Sequence, residues 1–179
     1  EAMRCAKKGD RRGEGVAYSE LGVAYKDLGQ FDRALKSHKK HLAIALELGD
    51  RYEEGAAVCN LGYVYVGLGQ FEQALKCFEK QLAITLELGN RFVEGVAYCN
   101  LGTAYFSLGQ LDQAVKYHKK HLAIALELGD SRGEGGAYGN LGTAYFRLGQ
   151  LDQAVKYHKK DLAIAPELGD RRGEGIAYG

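Results

Sequence analysis

The stretch Asn100-Leu101-Gly102-Thr103-Ala104-Tyr105-Phe106-Ser107-Leu108-Gly109-Gln110 occurs again at residues 140–150, where the only change replaces Ser107 by Arg147. Looser copies occupy residues 60–70 and 20–30, so the four copies begin 40 residues apart without insertion or deletion. A constant period of this length is typical of stacked helical repeats, in which each unit buries its apolar face against its neighbours. The sequence therefore predicts an all-α fold, an α-solenoid of antiparallel helix pairs.

Each 40-residue unit contains two helical segments of similar length. In the second unit, the first segment runs from Arg51 to about Leu68 and ends at Gly69, a residue type that commonly follows a helix end. The second segment begins near Glu72, and its apolar residues recur at helical steps: Phe71, Ala74, Leu75, Phe78, Leu82, Thr85 and Leu88. Each unit opens on a side chain that suits a helix N-cap: Asp10, Asp50, Asn90, Asp130 and Asp170.

These boundaries predict a single array made of whole and partial units. Residues 10–49, 50–89, 90–129 and 130–169 form four repeats. Residues 1–9 are interpreted as the tail of a preceding helix, and residues 170–179 as the start of a truncated fifth repeat.

Glycines recur inside the predicted helices, where each costs about 1 kcal/mol relative to alanine. One row is predicted to face the partner helix at close range: Gly22, Gly62, Gly102 and Gly142. A second row is predicted to face the preceding unit: Gly15, Gly55, Gly95, Gly135 and Gly175. Residues 133–142 hold five glycines, which predicts the softest first helix, and Pro166 predicts a kink in the following helix.

Charge and cysteine usage favour a cytoplasmic protein without a nucleic-acid or membrane partner. Twenty-four Lys and Arg residues against 23 Asp and Glu leave a net charge of +1, so no overall field attracts anionic partners. The apolar runs are far shorter than the roughly 20 residues of a bilayer span. The four cysteines (Cys5, Cys59, Cys77 and Cys99) are placed too far apart for bridging and are predicted to be reduced and half-buried.

The recurring motif resembles the tetratricopeptide repeat. The resemblance rests on a Leu-Gly-x-x-Tyr motif (Leu21-Gly22-Tyr25 and its copies at 61, 101 and 141), on the Leu-Gly-Gln turn, and on the alanines at 34, 74, 114 and 154. The 40-residue unit, with its Glu-Leu-Gly-Asp ending, resembles the LGN/Pins family of polarity scaffolds and the large multi-repeat tetratricopeptide proteins of animals.

The resemblance implies a right-handed superhelix whose concave face is lined by the first helices and binds peptide segments. In LGN-like proteins that groove carries ladders of asparagine and arginine that hold extended, often acidic peptides. The asparagine ladder corresponds to Asn60, Asn100 and Asn140, with Glu20 in the first repeat. The arginine positions are occupied by Val16, Ala56, Val96, Gly136 and Ile176.

The residues themselves also indicate a binding face. Steps of three and four place amide and apolar side chains on a side of each first helix that internal packing does not need, and we predict that these residues bind a peptide: Asn60, Tyr63, Asn100, Thr103, Phe106, Asn140, Thr143, Phe146 and Arg147. Asparagine can donate to and accept from a peptide bond at once, so a regular ladder suits an extended backbone. The alternative is that the asparagines bridge neighbouring helices and bind nothing.

No pattern predicts catalysis, a cofactor or a metal. The sequence has no phosphate-binding glycine loop and no nucleophile with a fixed base partner, so we expect a protein that is not an enzyme. The pairs His38/His41 and His118/His121 have a spacing that could hold zinc, but Phe78 replaces one member in the second repeat. Exchange with phenylalanine is typical of half-buried packing positions, and the lysines of the second helices are interpreted as a solvated face.

Together these features predict a cytoplasmic protein-interaction scaffold that binds an extended peptide segment. The alternative, from a different class, is a structural array that self-associates through exposed repeat ends.

Overall fold

The structure, a computed structural model, describes residues 10–164, and all the regular secondary structure within that range is helical. The helices are α1 (Arg11–Asp27), α2 (Phe31–Leu48), α3 (Arg51–Gly67), α4 (Phe71–Leu88), α5 (Arg91–Ser107), α6 (Leu111–Leu128), α7 (Ser131–Arg147) and α8 (Leu151–Ile164). The expected preceding helix in residues 1–9, the kink at Pro166 and the start of a fifth repeat in residues 170–179 lie outside the described residues.

The chain divides into two compact units, Glu1–Gly89 with α1–α4 and Asn90–Gly179 with α5–α8. In the first unit α1 packs against α2, α2 against α3, and α3 against α4, and the second unit repeats this order with α5–α8. First helices also contact each other within a unit, α1 with α3 and α5 with α7. The predicted architecture of helix pairs that stack on their neighbours is confirmed.

The N-caps and glycine stops act as the sequence predicts. The side chains of Asp10, Asp50, Asn90 and Asp130 each accept a hydrogen bond from the backbone N–H three residues later. The second helices end at Gly49, Gly89 and Gly129, all in the left-handed conformation with φ between 65° and 67°. That conformation strains any other L residue, so glycine sets the helix lengths here.

Small and medium side chains fill the core between the helices. Ala57, Leu61 and Val64 of α3 are buried. Leu88, the last residue of the apolar series predicted for α4, is 47% exposed. Ile84 and Thr85 near this end of α4 are 2% and 3% exposed, and Ile84 faces Gly55 of α3.

The mid-helix glycines mark close contacts between the two helices of one repeat. A Cβ on Gly62 would lie 2.4 Å from Phe78 Cε1, and a Cβ on Gly102 would lie 2.5 Å from His118 Cε1. Real Cβ atoms do not approach that closely, so the predicted role of this row is confirmed.

The sequence predicts that the second glycine row faces the preceding repeat, and this prediction is wrong for Gly15, Gly55 and Gly95. A Cβ on Gly55 would lie 3.3 Å from Ile84 Cγ2, and a Cβ on Gly95 would lie 3.1 Å from Ile124 Cγ2. Both isoleucines belong to the second helix of the same repeat. The reason is helical geometry, because Gly55 lies seven residues before Gly62 and therefore on the same face of α3.

Two glycine substitutions in the second unit should act in opposite directions. Gly102→Ala should lower the free energy of unfolding by about 1–3 kcal/mol, because the added methyl overlaps the buried His118 ring. Gly136→Ala should raise it by about 0.5–1 kcal/mol, because that exposed position has no atom within 4 Å of the new methyl and alanine favours the helix. Urea unfolding followed by circular dichroism measures both, and equal effects would contradict the close-contact interpretation.

Candidate functional site

The predicted binding residues of the second unit lie on two neighbouring helices. Asn100, Thr103 and Phe106 are on α5, and Asn140, Thr143, Phe146 and Arg147 are on α7. We call these residues the α5/α7 surface. Thr103, Thr143, Phe146 and Arg147 are exposed, and Phe146 reaches 62%.

The asparagines of this surface are less available than the sequence suggests. Asn100 is only 9% exposed, and Asn140 is half-buried. The Nδ2 of Asn140 donates to Cys99 Sγ at 3.7 Å, which links α7 to α5. Burial raises the pKa of the Cys99 thiol, so it remains a neutral acceptor near pH 7. At least Asn140 therefore makes the helix-bridging contact that the alternative interpretation describes.

The hydroxyl groups of this surface, and that of the neighbouring Ser107, donate hydrogen bonds to backbone carbonyls of their own helices. Thr103 Oγ1 donates to the Cys99 carbonyl, Ser107 Oγ to the Thr103 carbonyl, and Thr143 Oγ1 to the Gly139 carbonyl, each at 3.0 Å. A hydroxyl oxygen keeps acceptor lone pairs when its hydrogen is used in this way. These exposed residues can therefore accept hydrogen bonds from a ligand.

Two phenylalanines and an arginine complete the α5/α7 surface. The Arg147 guanidinium lies over the Phe106 ring, 5.4 Å from its centroid, a distance suited to a cation–π interaction. Phe106 is half-buried and packs against the core cluster that contains Val115, Leu141 and Tyr145. Phe146, the residue before Arg147 on α7, is 62% exposed. The surface thus combines the Arg147 guanidinium, which lies over the Phe106 ring, with the exposed ring of Phe146.

The first unit presents a different version of this face. Asn60 is half-buried, whereas Tyr63 is 37% exposed. The Tyr63 ring meets Phe78 edge to face, with centroids 5.6 Å apart. Tyr63 therefore also serves the packing of α3 against α4, and Glu20 on α1 gives this unit an exposed acidic group where the other repeats have asparagine.

A recurring charged cluster was missed at the sequence level. Arg11, Arg51 and Arg91 each bond one glutamate three residues later and another near the end of the second helix of the same repeat. Burial alone would raise the pKa of Glu54, but hydrogen bonds from Lys80 and Arg51 hold it below its usual value. The repeated Arg-x-x-Glu spacing was a visible signal, and Ser131 breaks it in the fourth repeat.

The histidines are more deeply buried than predicted. His38, His41 and His118 are 0%, 1% and 2% exposed, because each fits against a helix face where glycine leaves room. His41 Nε2 contacts Glu53 Oε2 at 2.9 Å. Among residues 10–164, no cluster of three or more His, Cys, Asp or Glu side chains is placed to hold a metal ion.

Sequence comparison identifies the class of protein. Three overlapping segments, residues 13–87, 53–127 and 93–167, match the model of the tetratricopeptide repeat family. The chain belongs to this family. A search of curated proteins finds no matching sequence.

Solved structures support the same fold. Aspartyl phosphate phosphatase F from Bacillus subtilis superposes with a TM-score of 0.89 at 20% identity, covering 94% of this chain and 44% of that one. A STAND signal transduction ATPase with a tetratricopeptide repeat sensor, from Pyrococcus horikoshii, gives 0.87 at 23% identity, covering 94% and 26%. A Rap protein complexed with competence and sporulation factor gives 0.82 at 20% identity, covering 92% and 47%. The chain thus spans less than half the length of each.

The helices within residues 10–164 also bear on membrane insertion. None of them combines the length and the hydrophobicity that a bilayer span requires.

The buried carboxylate of Glu54 generates a testable prediction. Lys80→Met should lower the free energy of unfolding at pH 7 by about 1 kcal/mol, a value discounted for the exposure of the lysine, because Glu54 loses one of its two cationic partners. The stabilisation by an ionised Glu54 is present above its unfolded pKa of about 4.3 and is lost as pH falls through its lower folded pKa. The Lys80→Met effect should therefore shrink toward pH 3.

Lys120→Met is the matched control for this prediction. Lys120 occupies the same repeat position but lies over the Tyr98 and Tyr117 rings. Its effect should be constant between pH 7 and pH 3, because a contact between a cation and an aromatic ring does not require an ionised carboxylate. A Lys80→Met effect that is equally constant, measured by urea unfolding, would contradict the assigned role of Glu54.

Proposed function

We propose that this protein is a non-catalytic interaction scaffold and that the exposed faces of its first helices bind an extended peptide. The observation that carries the proposal is the α5/α7 surface, where Phe146 is 62% exposed beside the Arg147–Phe106 pair. A large exposed aromatic ring next to an arginine is the composition typical of protein-binding hot spots.

The surface offers complementary groups for a peptide backbone. The oxygens of Thr103, Ser107 and Thr143 would accept backbone N–H groups, and Arg147 would donate to carbonyl or carboxylate oxygens. Phe146 would anchor one apolar side chain. In the first unit, Asn60 and Tyr63 would make the equivalent contacts with a different preference, since Glu20 replaces a neutral amide there.

One comparison and one sequence resemblance support this proposal. The similar Rap protein was solved in complex with competence and sporulation factor, so a protein that contains this fold can hold a partner. The resemblance of the 40-residue unit to LGN/Pins scaffolds belongs to the same proposal, and it favours recognition of an extended chain. Reduced thiols at Cys59, Cys77 and Cys99 fit a reducing compartment and support a cytoplasmic location.

The binding surface can be tested with a peptide selected for it. A random peptide library panned against the intact chain supplies a probe, and fluorescence anisotropy measures its Kd. Phe146→Ala and Arg147→Ala should each weaken binding about 10-fold or more, as expected for hot-spot residues. Circular dichroism should show unchanged helicity, because both side chains are exposed.

Matched controls make the result specific to this face. Leu126→Ala and Arg132→Ala remove an exposed apolar and an exposed cationic side chain elsewhere on the same unit and should change Kd less than 2-fold. Selected peptides that bind the Phe146→Ala and Arg147→Ala variants as tightly as the original chain would refute the proposed site.

Self-association is a second candidate function, and one observation favours it. In the second unit Val115 of α6 is 8% exposed, because it packs in one cluster with Leu141 and Tyr145 of α7. The equivalent residue of α8, Val155, is 53% exposed and the nearby Leu151 is 57% exposed. A first helix would fit there, from a following repeat or from a second copy, since it would repeat the interface that α6 makes with α7.

Measurement of the oligomeric state tests whether the chain self-associates. Light scattering of the intact chain between about 1 and 100 µM should show a mass that rises with concentration, and Val155→Lys should abolish the rise by placing a charge in the apolar contact. A monomer mass throughout this range would exclude self-association through α8 as the function.

A further inference from the structure

Three repeats place a histidine ring against the mid-helix glycine: His38, His118 and His158. His158 is half-buried, whereas the other two rings are almost fully buried. His38 on α2 is 0% exposed, and neither of its ring nitrogens has a partner in the described structure. His118 on α6 is 2% exposed, and its Nδ1 is likewise without a partner. Buried polar atoms of this kind are uncommon, because each loses its bonds to water without replacement. Hydrogen bonding therefore does not explain why these buried positions hold histidine.

Shape explains why a ring is needed, but not why it is histidine. A Cβ on Gly22 would lie 2.4 Å from His38 Cε1, and a Cβ on Gly102 would lie 2.5 Å from His118 Cε1. In the second repeat Phe78 fills the same space against Gly62, at 2.4 Å, and is 1% exposed. Phenylalanine thus serves the packing without leaving a polar atom unsatisfied. What histidine adds at this position is the ability to take up a proton.

The surroundings of His38 disfavour the protonated ring. On its own helix the neighbouring titratable group is His41, whose Nε2 already contacts Glu53 of α3. On α1 the charged group that acts on His38 is Lys26, which pairs with Asp27 and is itself a cation. Burial is the first cause, and His41 and Lys26 add to it, so that the pKa of His38 is lowered to about 4. No carboxylate is bonded to this ring.

His118 is in an equivalent environment in the second unit. Burial lowers its pKa to about 4, with a smaller contribution from His121 on the same helix. On α5 the charged residues Arg91 and Glu94 are paired with each other, and on α7 Asp130 acts on His121. A proton on His118 would therefore remain without a counter-ion within the helix pair.

We propose that His38 and His118 make the first and third repeats acid-sensitive, so that protonation separates α1 from α2 and α5 from α6 while the Phe78 repeat keeps its pairing. The second repeat is the internal reference, since it has the same glycine-to-ring contact without an ionisable group. Protonation would act on α1 and α5, whose exposed faces belong to the proposed peptide-binding surface. The proposal does not depend on whether a peptide binds there.

The sign of the pH dependence follows from linkage. An unfolded histidine titrates near 6.5, whereas the buried rings take up a proton only near pH 4. Between these values the unfolded chain binds more protons, so stability is complete above about pH 6.5 and falls as pH drops toward 4. At pH 5 each histidine should raise the unfolding equilibrium constant about 10- to 30-fold relative to pH 7.5.

Phenylalanine substitution tests the proposal with a change that the chain itself uses. Between pH 7.5 and pH 5, the unfolding equilibrium constant of the original chain should rise by a factor about 100-fold or more larger than that of the double variant His38→Phe/His118→Phe. Urea unfolding at the two pH values measures both. A pH dependence equal to that of the original chain would overturn the proposal, because the carboxylates would then account for acid sensitivity.

Two further measurements keep the proposal testable if a variant folds poorly. NMR titration of the imidazole signals in the original chain should show His38 and His118 still neutral at pH 5.5, and midpoints near 6.5 in the folded state would overturn it. Hydrogen exchange by mass spectrometry at pH 5 should show α1/α2 and α5/α6 opening before α3/α4. Equal opening of all three pairs would also contradict the proposal.

Discussion

The contact between a mid-helix glycine and the ring opposite it determines how closely the two helices of a repeat approach. Gly62 against Phe78 and Gly102 against His118 leave no space for even one methyl group. The glycine costs helix stability, and close packing of a large side chain offsets that cost through buried area and dispersion. The alanines of the core, such as Ala57 and Ala97 at 0% exposure, are compatible with this spacing.

Much of this fold can be predicted from the sequence because the information is local and repeated. The caps at Asp50 and Asn90 and the stops at Gly49 and Gly89 depend on nearby backbone geometry, which residue type largely determines. Periodicity alone could not place Leu88, since a helix end can extend beyond its partner. It also could not show the depth of His38, because burial depends on how two helices are oriented in space.

The candidate binding face was only partly predictable for a related reason. Sequence spacing places Asn140 and Phe146 on the same helix and near its exposed side, but it does not reveal which polar atoms are already engaged. The bond from Asn140 to Cys99 joins residues 41 positions apart, and only the packing of α7 against α5 brings them together. Beside the half-buried Asn140, the exposed side chains of this face are those of Phe146, Arg147 and the threonines.

Both glycine rows contact the second helix of their own repeat, and this has a consequence for how such a chain can vary. The contacts of Gly22, Gly62, Gly102 and Gly142 with the rings opposite them are each encoded within one repeat of 40 residues, so a duplicated or deleted repeat carries its complete contact with it. The third and fourth repeats differ at nine positions, so recombination between their coding sequences would shorten or lengthen the array by one whole helix pair. The number of repeats can therefore change by one at a time, and the added repeat uses the same core contacts as the others.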